Sequence, residues 1–150
     1  MKNILISDFD NFDFQNMFKS YFGELGVSVS NWSRLFKAMN DENRNLAYLR
    51  YDESGHPIGF IQFTVITFSS GFFEAKAGFI REFWVNGSCR NQGHGSELLR
   101  LAEEYFINNR VYKSILTTDT AERFYIRHGY VKDIDITAKN EFDVFVKVLR

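Results

Sequence analysis

The first forty residues place apolar side chains three and four positions apart, which is the spacing of amphipathic helices. A short apolar run at 3–7 suits a first strand. The helix after it is predicted to start at a cap formed by Asp8 or Asp10 and to end at Gly23 or Gly26. The predicted apolar face of this helix consists of Phe14, Phe18, Tyr21, Phe22 and Leu25.

A second helix is predicted from Ser30 or Asn31 to Met39, and after it the hydrophobic period becomes that of extended strands. The segments 45–51 and 58–68 are rich in β-branched and aromatic residues. Because a short polar connection separates them, these two segments are predicted to pair as a hairpin.

Strands and helices alternate in the second half of the chain. A strand that ends at Val85 precedes a helix over 96–109, and a strand over 114–118 precedes a short helix near 121–127. The last two predicted strands cover 130–136 and 142–149. The element order β-α-α-β-β-β-α-β-α-β-β predicts a mixed α/β fold, with one mostly antiparallel sheet, a parallel strand–helix–strand crossover and helices on both faces.

Length and charge limit the classes of function. At 150 residues the chain is predicted to form a single domain, 1–150. Its net charge of −1 and its lack of a basic run argue against a nucleic-acid partner. No uncharged apolar run approaches the length of a membrane span and no secretory signal is evident, so we expect a cytoplasmic protein without a membrane partner.

Phenylalanine is abundant, with 17 residues. A phenylalanine-rich core is the favoured interpretation, and the alternative is an apolar tunnel or a self-association surface that would accompany a homodimer. The single cysteine, Cys89, rules out an internal disulfide. The histidines at 56, 94 and 128 are too scattered to predict a metal site.

The stretch from Arg90 to Ser96 reads Arg-Asn-Gln-Gly-His-Gly-Ser and joins the strand ending at Val85 to the next helix. Its two glycines let the backbone approach a ligand closely, and the first amides of a helix have no intrahelical acceptor. A phosphate group is the expected ligand. The dinucleotide fingerprint would need a glycine in place of Leu98, and the Walker pattern would need a lysine after a glycine. An ordinary strand–helix loop is the remaining alternative.

A second motif runs from Ala121 to Tyr130 and has the order Ala-x-x-Phe-Tyr-x-x-x-Gly-aromatic. Together with Arg-x-x-Gly-x-Gly directly after a strand, and with Val85 eight residues before Gly93, this motif resembles the GNAT superfamily of acyl-CoA-dependent N-acyltransferases. The predicted element order is also similar to that family's fold and covers nearly the entire chain.

The resemblance implies transfer of an acyl group, most often acetyl, from acetyl-CoA to an amine by direct attack in a ternary complex. The acceptor would be a small molecule or a protein amino group. Arg90 would pair with a phosphate or cap the loop, and Thr118 stands where many relatives carry an asparagine. The residues assigned to acetyl-CoA in this way are Phe83, Val85, Arg90, Asn91, Gln92, Gly93, His94, Gly95, Ser96, Thr118 and Phe124.

The reaction needs a base for the protonated amine and an acid for the departing thiolate. Glu82, in an apolar strand, is the candidate base; a structural ion pair with Arg81 or another basic residue is the alternative. The resemblance implies that Tyr125 is the acid. The alternative is that Tyr125 is a core residue whose hydroxyl reaches the surface.

Two interpretations remain open at this point. The acidic residues at 8, 10 and 13 either cap a helix or attract a cationic acceptor. The whole chain is either an N-acetyltransferase or a non-catalytic acyl-CoA-binding or interaction module with the same fold. No metal is expected in either case.

Overall fold

A computed structural model describes residues 1–42 and 44–150 of the chain. The strands are β1 (Lys2–Ile6), β2 (Leu46–Tyr51), β3 (Pro57–Ser70), β4 (Phe73–Val85), β5 (Lys113–Thr118), β6 (Val131–Lys132) and β7 (Asp143–Val148). The helices are α1 (Phe12–Leu25), α2 (Trp32–Asp41), α3 (His94–Asn108) and α4 (Glu122–Arg127), with a 3-10 turn at Gly87–Cys89. The observed element order confirms the prediction.

The strands form one seven-stranded sheet in the order β1-β2-β3-β4-β5-β7-β6. The pairs β1–β2, β2–β3, β5–β7 and β6–β7 are antiparallel, and β4–β5 is parallel. The predicted mixed, mostly antiparallel sheet with a parallel crossover is therefore confirmed.

The chain divides into two compact units. The first unit comprises residues 1–63 and 82–101, and the second comprises 64–81 and 102–150. Strands β3 and β4 and helix α3 each contribute residues to both units. The assignment of 1–150 to a single domain stays a prediction.

Helix α1 in the first unit is capped by Asn11, and the predicted cap at Asp8 or Asp10 is wrong. Asn11 Oδ1 accepts a hydrogen bond from Phe14 N at 2.9 Å, whereas Asp8 Oδ1 accepts from Asp10 N at 3.0 Å and so forms a turn before the helix. At the other end, Gly26 adopts φ 72° and stops the helix as a left-handed cap.

An aromatic cluster forms the core of the first unit. The ring of Phe14 lies 5.1 Å from Phe60 and 5.5 Å from Phe18, and Trp32 stacks on Phe36 at 5.8 Å. The cluster is completed by Phe9, Met17, Met39, Ala47, Leu49, Tyr51 and Trp84. Many of the phenylalanines are thus core residues, as the favoured interpretation expected.

In the second unit, β5 pairs with β7 over six residues, whereas β4 and β5 share two registered pairs, Gly78 with Ser114 and Phe79 with Ile115. The strand predicted over 130–136 is observed only at β6, because a turn in which Asp135 N donates to Asp133 Oδ1 at 2.9 Å follows it. Not all phenylalanines are buried: Phe68, Phe72 and Phe73 lie exposed around the β3–β4 turn.

Candidate functional site

The loop before α3 has two residues in the left-handed region. Asn91 has φ 63° and Gly93 has φ 85°. The first helical hydrogen bond of α3 runs from Glu97 N to Gly93 O at 3.1 Å, so the helix begins at His94, two residues before the predicted start. Among the described residues, the backbone N–H groups from Gln92 to Gly95 donate to no protein acceptor. They form a short row of donors at the positive end of a helix dipole.

Arg90 fixes the start of this loop from the protein side. Its Nε donates to Val85 O at 2.9 Å, and its Nη2 donates to Glu24 Oε1 at 2.5 Å. A hydrogen bond from Trp84 Nε1, followed by the one from Arg90, lowers the pKa of the Glu24 carboxyl below its usual range. Of the two roles expected for Arg90, these contacts correspond to capping the loop.

His94 supports the loop from beneath. Its side chain is 7% exposed, and its Nδ1 accepts a hydrogen bond from Arg50 Nε at 2.9 Å. Arg50 is held in turn by Asn3 Oδ1 at 3.0 Å. Burial, and secondarily the charge of Arg50, lowers the pKa of His94, so the ring is neutral and can accept. The ring therefore faces the protein, and the backbone N–H is the part of His94 available to a ligand.

Glu82 is held by a tyrosine that the sequence did not single out. Tyr21 on α1 donates from its hydroxyl to Glu82 Oε2 at 2.5 Å, and its ring packs 5.9 Å from Phe60 in the aromatic cluster. Glu82 itself is half-buried. The only sequence signal for Tyr21 was its place on the apolar face of α1, because the two partners are 61 positions apart.

Strand β3 approaches the end of β4 very closely. A Cβ placed on Gly59 would lie 2.8 Å from Trp84 O and 3.3 Å from Val85 Cα, so only glycine fits there. The carbonyl of Val85 is engaged by Arg90, as described above. Phe83 lies between Glu82 and Trp84 and is half-buried.

The remaining predicted residues belong to the second unit. Thr118 Oγ1 accepts from Ala121 N at 3.0 Å and so stabilises the start of α4, while its hydroxyl proton can still be donated. Tyr125 is 7% exposed, with ring contacts of 5.2 Å to Phe124 and 5.6 Å to Tyr130. Gly129 ends this motif with φ 89°, the left-handed cap that the sequence predicted.

Glu82, Phe83, Val85 and the loop 90–96 therefore lie in the first unit, and Thr118, Phe124 and Tyr125 in the second. Asp13, one of the three acidic residues near the N-terminus, accepts a hydrogen bond from Tyr51 at 2.8 Å. In the described part of the chain, no three His, Cys, Asp or Glu side chains are grouped to ligate a metal. Within residues 1–42 and 44–150, no helix has the length and apolar character needed to span a membrane.

Comparison with known proteins gives a family match. The profile of the acetyltransferase (GNAT) family matches residues 10–130. No curated protein matches the chain by sequence.

Solved structures share the fold at low sequence identity. An aminoglycoside 6'-N-acetyltransferase complexed with coenzyme A superposes with a TM-score of 0.74 at 14% identity, covering 100% of this chain and 98% of that one. Arabidopsis thaliana NAA60 in complex with a bisubstrate analogue gives 0.67 at 14% identity, covering 98% of each chain. Tetrahymena GCN5 gives 0.70 at 10% identity, covering 100% of this chain and 97% of that one.

Proposed function

Because the chain belongs to the acetyltransferase (GNAT) family, we propose that it transfers an acetyl group from acetyl-CoA to an amine by direct attack in a ternary complex. The observation that carries the proposal is the row of backbone N–H groups from Gln92 to Gly95 ahead of α3. Such a row, at a helix N-terminus and next to a glycine with positive φ, suits the diphosphate of coenzyme A.

The chemistry is assigned to residues of this chain as follows. Glu82 takes a proton from the acceptor ammonium, and the free amine attacks the thioester carbonyl carbon. Backbone N–H groups of β4 near Phe83 and Val85 bind the carbonyl oxygen as it becomes negative. The C–S bond then breaks, and the thiolate accepts a proton or a strong hydrogen bond from Tyr125. The second proton of the attacking nitrogen passes through water to the Tyr125 oxygen or the thiolate, and Glu82 releases the first proton to solvent. The amide product and free coenzyme A result.

The acceptor is proposed to be a small-molecule amine rather than a protein amino group. In the first unit, Glu82 is half-buried, and its carboxylate accepts a hydrogen bond from Tyr21, whose ring packs against the apolar cluster. A compact amine reaches such a carboxylate more readily than a folded protein surface does. The expected cytoplasmic location and the homodimer stay predictions.

A pair of glycine variants tests the diphosphate assignment. Gly93→Asp places a negative charge beside the N–H row and should reduce acetyl-CoA affinity at least about a hundredfold. Gly55→Asp is the matched control, because Gly55 has φ 84° against 85° for Gly93, and a Cβ added at either glycine would meet no atom within 4 Å. Calorimetric titration with acetyl-CoA measures both. Equal affinities in the two variants would contradict the loop assignment.

A turnover measurement separates the enzyme from a non-catalytic module. Release of the coenzyme A thiol is followed with acetyl-CoA and a panel of small amines. The proposal predicts thiol release that depends on the amine. Tight acetyl-CoA binding without release for any amine would instead support a binding or interaction module.

A further inference from the structure

Gln62 is a buried polar residue on the face of the sheet that carries the aromatic cluster. It lies on β3 in register with Ala47 on β2, and Phe60, two residues earlier, is in register with Leu49. Ala47, Leu49 and Phe60 all belong to the cluster. Because registered partners and alternate residues share a face of a sheet, the Gln62 side chain points into the same layer.

The Nε2 group of Gln62 has no hydrogen-bond acceptor in this layer. Gln62 is 1% exposed, and its Nε2 is a buried donor without an acceptor among the described residues. By contrast, the buried amide of Asn45 donates to Met39 O at 3.0 Å and to Glu42 Oε2 at 3.1 Å. An unpartnered buried donor destabilises a fold, and a leucine or methionine would fill the same volume without that cost. Packing therefore gives no reason for a glutamine here.

The position of Gln62 next to Glu82 gives a reason. Asn86 N donates to Ile58 O at 2.8 Å, and the ring of Trp84 lies 6.4 Å from Phe60, which aligns these residues of the neighbouring strands β3 and β4. Because the two strands run in opposite directions, moving two residues forward on β3 from Phe60 reaches Gln62, and moving two residues back on β4 from Trp84 reaches Glu82. This register makes Gln62 the cross-strand neighbour of Glu82, whose carboxylate accepts the hydrogen bond from Tyr21.

We propose that Gln62 determines acceptor specificity by donating from Nε2 to an oxygen atom that the acceptor carries close to its reacting amine. The inference rests on the proposed function and names the class of acceptor: amines with a neighbouring hydroxyl or carbonyl oxygen, such as amino alcohols, amino sugars and amino-acid amides. A carboxylate and an amide donor side by side complement an ammonium group and an oxygen on adjacent carbons.

Entry of the acceptor requires a local movement, because Nε2 is enclosed by the protein. Tyr21 is the side chain that moves, since its hydroxyl occupies the Glu82 oxygen for which the ammonium competes. Displacing that hydroxyl lets the ammonium approach Glu82 Oε2.

Two near-isosteric pairs of amines test the inference: 2-aminoethanol against propylamine, and 2-aminocyclohexanol against 2-methylcyclohexylamine. Binding of each amine to the complex with coenzyme A is measured by calorimetry, and turnover with acetyl-CoA is measured separately. In the wild-type protein, the amine with the oxygen should bind more tightly. In Gln62→Leu this preference should fall about tenfold or more, with affinity for coenzyme A unchanged and the thermal midpoint equal or higher.

The control variant is Thr67→Val, because Thr67 Oγ1 is the other buried side-chain atom without a partner in the described chain. It should leave the preference unchanged. A preference that persists in Gln62→Leu, binding of neither member of the pairs, or a lowered thermal midpoint in Gln62→Leu would each overturn the inference. Oxygen-dependent binding without any turnover would overturn the proposed function and leave the role of Gln62 standing.

Discussion

At the residue scale, the Tyr21–Glu82 hydrogen bond is the clearest addition to what the sequence indicates. The apolar strand around Glu82 drew attention to this carboxylate, but no local pattern identifies a partner on α1 that is 61 positions away. Burial and hydrogen bonding are properties of the folded chain. For that reason the sequence suggested Glu82 and left both its partner and the neighbouring Gln62 unnoticed.

Replacing Tyr21 by phenylalanine should move the acidic limb of the pH profile. The hydroxyl stabilises the charged carboxylate of Glu82, so without it Glu82 gives up its proton only at higher pH. We expect the acidic limb of kcat/KM to shift upward. Tyr51→Phe is the control, because Tyr51 makes the same kind of bond to Asp13 at 2.8 Å. An unshifted limb in Tyr21→Phe would mean that Glu82 is not the base.

Tyr125→Phe tests the assignment of the acid. Loss of the phenol proton should lower kcat by about ten- to a hundredfold while acetyl-CoA affinity stays within about twofold. Tyr112→Phe, in the same unit and without an assigned role, serves as the control. If kcat is the same in both variants, water or another group protonates the thiolate, and Tyr125 is a core residue packed on Tyr130.

At the element scale, the order of helices and strands could be predicted because each element repeats its own hydrophobic period. The residues at which the helices begin were harder to predict. The sequence offered two aspartates as the cap of α1, and the choice of Asn11 depends on which oxygen reaches Phe14 N. The start of α3 likewise depends on the φ of Gly93, which permits a helical bond to its carbonyl.

The beginning of α3 should also respond to pH through His94. Its folded-state pKa is lowered by burial and by Arg50, so the unfolded chain binds the proton more readily. The contribution of His94 to the free energy of unfolding should therefore be fully present above the pKa of the unfolded chain, near 6.5. It should decline as the pH falls from there toward the lower pKa of the folded protein. The contribution of this residue cannot exceed about 1.4 kcal/mol per pH unit.

Urea unfolding between pH 7.5 and 5.5 measures this effect. His94→Gln keeps an acceptor for Arg50 but does not titrate, so its free energy of unfolding should decline less steeply than that of the wild type. Both proteins contain the same other titrating groups. The difference between their two slopes of unfolding free energy against pH is therefore the contribution of His94. Equal slopes would show that His94 does not contribute.

At the scale of the whole molecule, the mixed sheet could be predicted from the order of helices and strands, and the family from two motifs together with that order. The structure and the family profile confirm both. Which of the 17 phenylalanines are buried and which are exposed could be predicted only in part. Composition indicated a core, but it could not show that Phe68, Phe72 and Phe73 are exposed around one turn. That outcome depends on how far β3 and β4 extend.

The proposed activity depends on one interaction, the binding of a diphosphate by the backbone N–H groups of Gln92 to Gly95. Amide NMR spectra recorded during titration with acetyl-CoA observe these groups directly. We predict that their resonances shift as acetyl-CoA saturates the protein and that their exchange with solvent slows. Saturation that leaves these four amides unchanged, while resonances elsewhere in the chain move, would contradict the proposed cofactor site.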